Sequence, residues 1–223
     1  MLYPINNPYR QFIELNGFWD FKMDPNGQGE SQGWPTGFTS GRPIAVPASW
    51  NDQFEESRDF LGPAWYQRRF TLPWGWDDKR IHLRFNSVNY LAQVWLNGKM
   101  LGIHEGGHLP FTFDITDAIS TKENILIVRV DGQLAQDRVP PGNITGSELD
   151  FFSSHGNNFP QAQFDFFPYC GIHRPVLLYV QPHAAIEDMT VLTELNGNWG
   201  SVEVHIEPAE PSVRVTLSDP DHA

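Results

Sequence analysis

Tyr90-Leu91-Ala92-Gln93-Val94-Trp95-Leu96-Asn97-Gly98-Lys99-Met100-Leu101-Gly102-Ile103-His104 is the stretch whose reading decides the fold. Asn-Gly between two strand-like runs is the strongest short-range hairpin signal, because both residues of a two-residue turn must accept positive φ. Just upstream, Arg80-Ile81-His82-Leu83-Arg84-Phe85 sets apolar side chains at 81, 83 and 85 with polar ones between. That period of two predicts a strand with one buried face. Working outward, similar runs predict strands at 65–72, 111–115, 124–130, 175–180, 189–195, 201–207 and 212–218. The 19 Gly and 18 Pro leave few windows long enough for a helix, so helix is confined to short turns such as 115–120. Many short strands with regular turn signals predict an all-β protein, an antiparallel jelly roll or β-sandwich.

Residues 27–47 and 131–171 resist assignment, being rich in Gly, Pro, Asn and Ser. Loops longer than about 15 residues in a compact domain are usually functional or disordered. The second stretch holds Phe151, Phe152, Phe159, Phe164, Phe166, Phe167 and Tyr169, an aromatic density that predicts a loop ordered by packing. A break falls at Gln181-Pro182-His183-Ala184-Ala185. It predicts a jelly-roll domain over 1–183, followed over 184–223 by the start of an immunoglobulin-like sandwich. The strand-like segments after the break are too few for such a sandwich, which needs about seven.

The formal net charge of −12 opposes nucleic-acid binding, which needs a basic surface to displace phosphate counterions. It equally opposes docking on an anionic membrane, and no apolar run is long enough to span one. Cys170 is the single cysteine, so no internal disulfide can form and a reducing, cytoplasmic location is expected. The polar opening, Met1 to Arg10, lacks the apolar core of a signal peptide. The sequon Asn143-Ile144-Thr145 is accordingly expected to stay unglycosylated.

No cofactor motif is found: there is no phosphate-cradling glycine loop and no Gly-x-Ser-x-Gly elbow. His104-Glu105-Gly106-Gly107-His108 puts two histidines four apart beside a glutamate, yet a zinc pair at that spacing needs a helix. Two glycines straight after a strand predict a turn instead, so no metal site is expected. The 27 Asp and Glu suggest no catalytic pair; Asp114 and Asp117 resemble turn or cap residues, and Glu55-Glu56 an exposed loop. Asp165 differs, because Phe164, Phe166 and Phe167 surround it in a long loop. A carboxylate there must find donors or project into a cleft. From composition alone, pairing with Arg174 or backbone amides is the favoured reading. The eight tryptophans invite a lectin reading, with Trp74-Gly75-Trp76 the most exposed-looking candidate. Core and interdomain packing is expected to absorb most of them.

Several stretches, taken together and in order, resemble the sugar-binding domain of family 2 glycoside hydrolases. They are Leu15-Asn16-Gly17-Phe18-Trp19-Asp20-Phe21, Val46-Pro47-Ala48-Ser49-Trp50-Asn51, Tyr66-Gln67-Arg68-Arg69-Phe70 and Val94-Trp95-Leu96-Asn97-Gly98. His104-Glu105-Gly106-Gly107-His108-Leu109-Pro110-Phe111 follows. Asp165-Phe166-Phe167-Pro168-Tyr169-Cys170-Gly171-Ile172-His173-Arg174-Pro175-Val176 is similar to the form found in the β-glucuronidase branch, as is Val139-Pro140-Pro141-Gly142. Pro168 and Cys170 depart from that form, where Asn and Ala are usual.

The resemblance implies a jelly roll, an immunoglobulin-like domain and then a (β/α)₈ barrel carrying two catalytic glutamates in a retaining mechanism. This chain would hold none of the catalytic residues and would need the barrel as its partner. The ligand implied is a β-glucuronide or related carbohydrate bound by the full enzyme, whose parent is a candidate homo-oligomer. One role carries over: Asp165 would accept hydrogen bonds from the glycone, which moves the reading from loop-ordering to substrate contact. The competing readings are a free-standing carbohydrate-binding module and a fragment of a β-galactosidase or β-mannosidase.

Overall fold

The computed structural model describes residues 3–135, 137–139, 141, 169–208 and 212–218. The chain divides into two compact units, Met1–Val180 and Gln181–Ala223. Both are built from antiparallel strands, as the alternation predicts.

In chain order the strands of the first unit are β1 (Gln11–Glu14), β2 (Gly17–Met23), β3 (Arg42–Val46), β4 (Pro63–Thr71), β5 (Arg80–Phe85) and β6 (Val88–Asn89). There follow β7 (Leu91–Leu96), β8 (Lys99–Glu105), β9 (Phe111–Asp114), β10 (Glu123–Asp131), β11 (Gly171–Ile172) and β12 (Val176–Gln181). One sheet has six strands in the order β3-β2-β4-β10-β7-β8, and the other has four in the order β1-β12-β5-β9. The two share one core. Phe21, Tyr66, Val94, Leu96, Leu126 and Val128 of the larger sheet pack in one cluster with Ile81, Leu83, Phe85, Val176 and Leu178 of the smaller. Side chains from two inner faces interdigitating in this way define a β-sandwich.

The Asn97-Gly98 turn forms as read. Leu96 pairs with Lys99, and the two turn residues have φ of 54° and 80°. Strand β5 matches its predicted bounds, but its second face is not open to water. His82 and Arg84 are buried as well. β5 lies between two neighbours, and its polar side chains find partners on the outer face. His82 stacks on Tyr179 at 4.8 Å, and Arg84 Nε donates to Asn86 Oδ1 at 2.8 Å.

The stretch over 27–47, unassigned from sequence, builds a second core outside the larger sheet. It contains a 3-10 turn, Trp34–Thr36, and then strand β3. Trp34 and Phe38 from this stretch pack on Trp65, Trp95 and Ile127 of the outer sheet face. Trp65 and Trp95 stack with centroids 5.4 Å apart, and Trp34 meets Trp65 edge-on at 5.7 Å. Gly29 is required here, since a Cβ would fall 2.5 Å from Trp65 Nε1. Asp24 holds the loop: its carboxylate accepts from the amides of Gln28 and Gly29 and from Trp65 Nε1, at 2.7 to 3.0 Å. Burial pushes the Asp24 carboxyl up, but these hydrogen bonds outweigh it and hold the group below its ordinary range. Six of the eight tryptophans are buried. Trp74-Gly75-Trp76 divides, with Trp74 fully exposed and Trp76 2% exposed.

In the second unit, β13 (Ile186–Asn196) and β14 (Trp199–Pro208) form a hairpin across Gly197-Asn198. Residues 212–218, expected to be a strand, are not one. Their alternation finds no ladder partner among the described residues, and pattern alone cannot make a strand. The predicted turn over 115–120 is a single bend, with the Ile119 amide donating to the Ile115 carbonyl at 3.0 Å.

Leu126 sits in β10 between β4 and β7 and is fully buried. Leu126→Ala removes that packing and leaves a cavity, at a cost of about 2–5 kcal/mol. A urea titration should show a lower midpoint with an unchanged slope; an unchanged midpoint would mean this strand is not central to the core.

Candidate functional site

Asp165, the one residue the sequence singles out for substrate contact, lies outside the described residues, as do Phe151, Phe152, Phe159, Phe164, Phe166, Phe167, Pro168 and the Asn143 sequon. The described chain resumes at Tyr169, and the corner it enters is the candidate site.

Residues 169–174 are fixed by hydrogen bonds to three separate segments. The first is the 3-10 turn Trp50–Asp52, whose N-cap Ser49 accepts from the Asn51 amide at 3.1 Å. Asn51 is buried and uses both ends of its side chain. Its Oδ1 accepts from the Cys170 amide at 2.9 Å, and its Nδ2 lies within 2.9 to 3.0 Å of the carbonyls of Ser57, Arg58 and Phe60. Ser49 Oγ donates to the Cys170 carbonyl at 3.0 Å. The second segment is β6, which pairs with β11, while Asn89 Nδ2 donates to the Tyr169 carbonyl at 3.0 Å. The third is the turn after β8, where Arg174 Nη1 donates to the His108 carbonyl at 3.2 Å.

Gly171 makes the corner sterically possible. Its φ is +112°, and a Cβ would meet Tyr66 Oη at 2.5 Å. Neither can be met cheaply by another residue.

The His104–His108 pair does not form a metal site. His104, next to last in strand β8, is stacked on Phe111 at 4.1 Å, while Gly106 and His108 have φ of 121° and 69°. Positive φ at both positions rules out the helix that would bring the two imidazoles together. Among the described residues, no group of three potential ligands is placed to hold a metal ion. His108 instead faces His173 edge-on at 6.4 Å.

This corner favours neutral imidazoles. Burial drives His173 down to about 4, assisted by His108 and Arg174 and opposed by hydrogen bonding to the main chain of Cys170 and Tyr169. Burial also lowers His108, with Arg174 adding to the effect. Tyr90 is pushed up to about 12, chiefly by burial, so it stays a phenol. Ser87 Oγ, Asn89 Oδ1, Tyr90 Oη and His173 Nε2 are buried with no hydrogen-bond partner among the described residues. Unspent capacity of this kind is normally taken up by ordered water or by a hydroxyl-rich ligand. The corner thus sets buried, uncharged hydrogen-bonding groups beside the Arg174 guanidinium. Glu105 at its rim is held by Arg138 Nε at 2.7 Å.

Sequence reasoning named Asp165 and Arg174 but missed Asn51, Ser49, Asn89 and His173. Ser49 and Asn51 stood in the quoted stretch Val46–Asn51, and the available signal was two small polar residues flanking a tryptophan, directly after Pro47-Ala48.

The family profile described as "Glycosyl hydrolases family 2, sugar binding domain" matches residues 12–182, and the chain belongs to that family. Its relatives are β-glucuronidases. Those of Paenibacillus borealis and Felis catus are 37% and 38% identical to it, over 99% and 92% of this chain. The chain covers only 38% and 34% of those proteins, so it spans about a third of the curated relatives it matches. Among solved structures, a β-glucuronidase of an uncultured Clostridium superposes with a TM-score of 0.79 at 40% identity, covering 93% of this chain and 35% of that one. The β-glucuronidase of Ruminococcus gnavus in complex with D-glucuronic acid gives 0.80 at 32% identity, covering 94% and 36%.

Two measurements check the anchoring. Asn51→Ala strands the Cys170 amide and removes the Nδ2 contacts to the Ser57, Arg58 and Phe60 carbonyls, so it should cost about 2–4 kcal/mol; hydrogen exchange at the Cys170 amide should accelerate. Wild-type rates in the variant would refute the anchor. His173 has a folded pKa below its unfolded value of about 6.5. The unfolded chain therefore binds the extra proton first. Stability is full above pH 6.5 and should fall by on the order of 2 kcal/mol as pH drops towards 4. His173→Gln should flatten that part of the stability profile.

Proposed function

We propose that this chain is the non-catalytic front portion of a retaining β-glucuronide hydrolase, scaffolding the active site and lending it one glycone contact, Asp165. The observation that carries the reading is the run Asp165–Val176, whose residues 169–174 form the hydrogen-bonded corner described above. A side chain reaching into a sugar site needs its parent segment fixed to within a fraction of an ångström. Hydrogen bonds from three segments, a glycine with no room for a Cβ, and a buried histidine supply that fixity. A carboxylate suits the task because charge-assisted hydrogen bonds from sugar hydroxyls are short and directional.

Hydrolysis itself requires two carboxyl groups about 5–5.5 Å apart in a retaining enzyme. In this reading both come from the part of the longer relatives that this chain does not cover. The isolated chain should then release no aglycone from an aryl β-glucuronide.

The test uses the parent enzyme. Asp165→Asn should lower kcat/KM for an aryl β-glucuronide by about 10- to 100-fold, the value of one charge-assisted hydrogen bond, while the melting temperature stays within a degree or so of wild type. A stability loss with unchanged kcat/KM would return Asp165 to loop-ordering. Turnover by the purified chain alone would overturn the scaffold reading altogether.

A further inference from the structure

The Trp34–Phe38 cover on the outer face of the six-stranded sheet leaves a cleft of about 510 Å³, within the size range of small-molecule sites. Lys22, Gln32, Trp34, Thr36, Thr39 and Arg69 line it, and no carboxylate does. None of these residues belongs to the corner at 169–174. Strand register sets the spacing of the two cations. Lys22 lies opposite Trp65, and Arg69 is four residues further along β4, so their backbone positions are separated by about 13 Å along the sheet.

Each cation is held in place by a neighbour. Lys22 Nζ sits 4.3 Å from the centroid of the Trp34 ring, a cation–π contact. No ion pair of Lys22 is found among the described residues. Arg69 gives Nη1 to Glu123 at 2.7 Å, but both side chains are about half exposed, and a pair of that kind is weak. The guanidinium fork carries five N–H donors, so donors beyond the one given to Glu123 remain for a ligand's acceptors. The amide of Gln32 and the hydroxyls of Thr36 and Thr39 share the lining with the two cations. Thr36 Oγ1 donates to the Gly33 carbonyl at 2.8 Å, which leaves its lone pairs to accept. The floor is preorganised, because Trp34 is locked edge-on against Trp65, itself stacked on Trp95. On a chain of net charge −12, two cations facing one cleft select for anions.

We infer that this cleft is a second carbohydrate site, taking an acidic oligosaccharide whose carboxylates meet Lys22 and Arg69 while its hydroxyls meet Gln32, Thr36 and Thr39. Two cations rooted about 13 Å apart along the sheet, with hydroxyl and amide groups in the same lining, match a sugar chain bearing uronates on alternate residues better than a lone anion. The site does not rest on the Asp165 reading.

The probe is an unsulfated tetrasaccharide of alternating glucuronate and N-acetylglucosamine, titrated into the chain by calorimetry and by following the tryptophan indole N–H signals in NMR. Binding should be saturable and should weaken with added salt. Lys22→Ala and Arg69→Ala should each weaken it about tenfold. Lys22→Met keeps a stem on the Trp34 ring and should lose as much, which separates charge from packing. Carboxyl-reduced tetrasaccharide should also lose at least tenfold, whereas Trp74→Ala should change nothing. No saturable binding overturns the inference, as does undiminished binding in the Lys22 and Arg69 variants or equal affinity for the reduced sugar. Asp165→Asn should leave this binding intact, and Lys22→Met should leave hydrolysis of a small aryl glucuronide by the parent enzyme unchanged. The two readings can therefore fail separately.

Discussion

The pairing of β1 with β12 is the contact on which the first unit depends. It sets Gln11 to Glu14 against Val180 to Leu177, joining the two ends of the unit across some of its longest sequence separations. β12 then lies between β1 and β5, and its Val176, Leu178 and Val180 enter the shared core. Closing so long a loop costs only slowly growing entropy, but nothing local rewards it. The reward is burial: until β12 returns, the inner faces of β5 and of the larger sheet have no complete cover. A sandwich of this topology is expected to fold slowly for its size, because most of its pairings are non-local.

That return also explains why the corner at 169–174 is so heavily tied. The chain enters β12 directly from it, and Leu15 and Asn16 meet Val176 through a backbone bond of 2.8 Å and a side-chain bond of 3.2 Å. Position of the corner and completion of the core are thus one event. Asn51 is suited to the junction because one amide side chain can both accept and donate. It joins Cys170 to carbonyls in residues 57–60 without needing a charge in a dry place.

What the sequence made legible follows from the same physics. The Asn97-Gly98 hairpin, β5 and β10 were readable because their signals are local: positive φ at a turn, or apolar alternation along one strand. β3 was not, since Arg42-Pro43 interrupts the pattern. Its place at a sheet edge explains why a proline is tolerated there. The second aromatic core was invisible for another reason. Trp34, Phe38, Trp65 and Trp95 are scattered along the chain, and only the sheet register sets them on one face. The same scattering hid the Lys22–Arg69 cleft. Residues 212–218 erred the other way, since alternation reads as strand whether or not a partner strand is present.

The lone cysteine shows how a departure from a family pattern can be structurally neutral. Cys170 stands where alanine is usual in the resembling run, and burial raises its thiol far above the ordinary range, so it is an inert packing group. The added sulfur needs space, and Gly132 provides it. A Cβ at 132 would fall 2.3 Å from Cys170 Sγ, while the thiol donates weakly to the Gly132 carbonyl at 3.7 Å. The extra volume at 170 is therefore taken from position 132, and the Cys170 main chain keeps both its bonds, amide to Asn51 and carbonyl from Ser49. Since the corner is held by main-chain groups, a change of side chain at this position does not move it. Position 171 has no such latitude, because there the backbone conformation itself requires glycine.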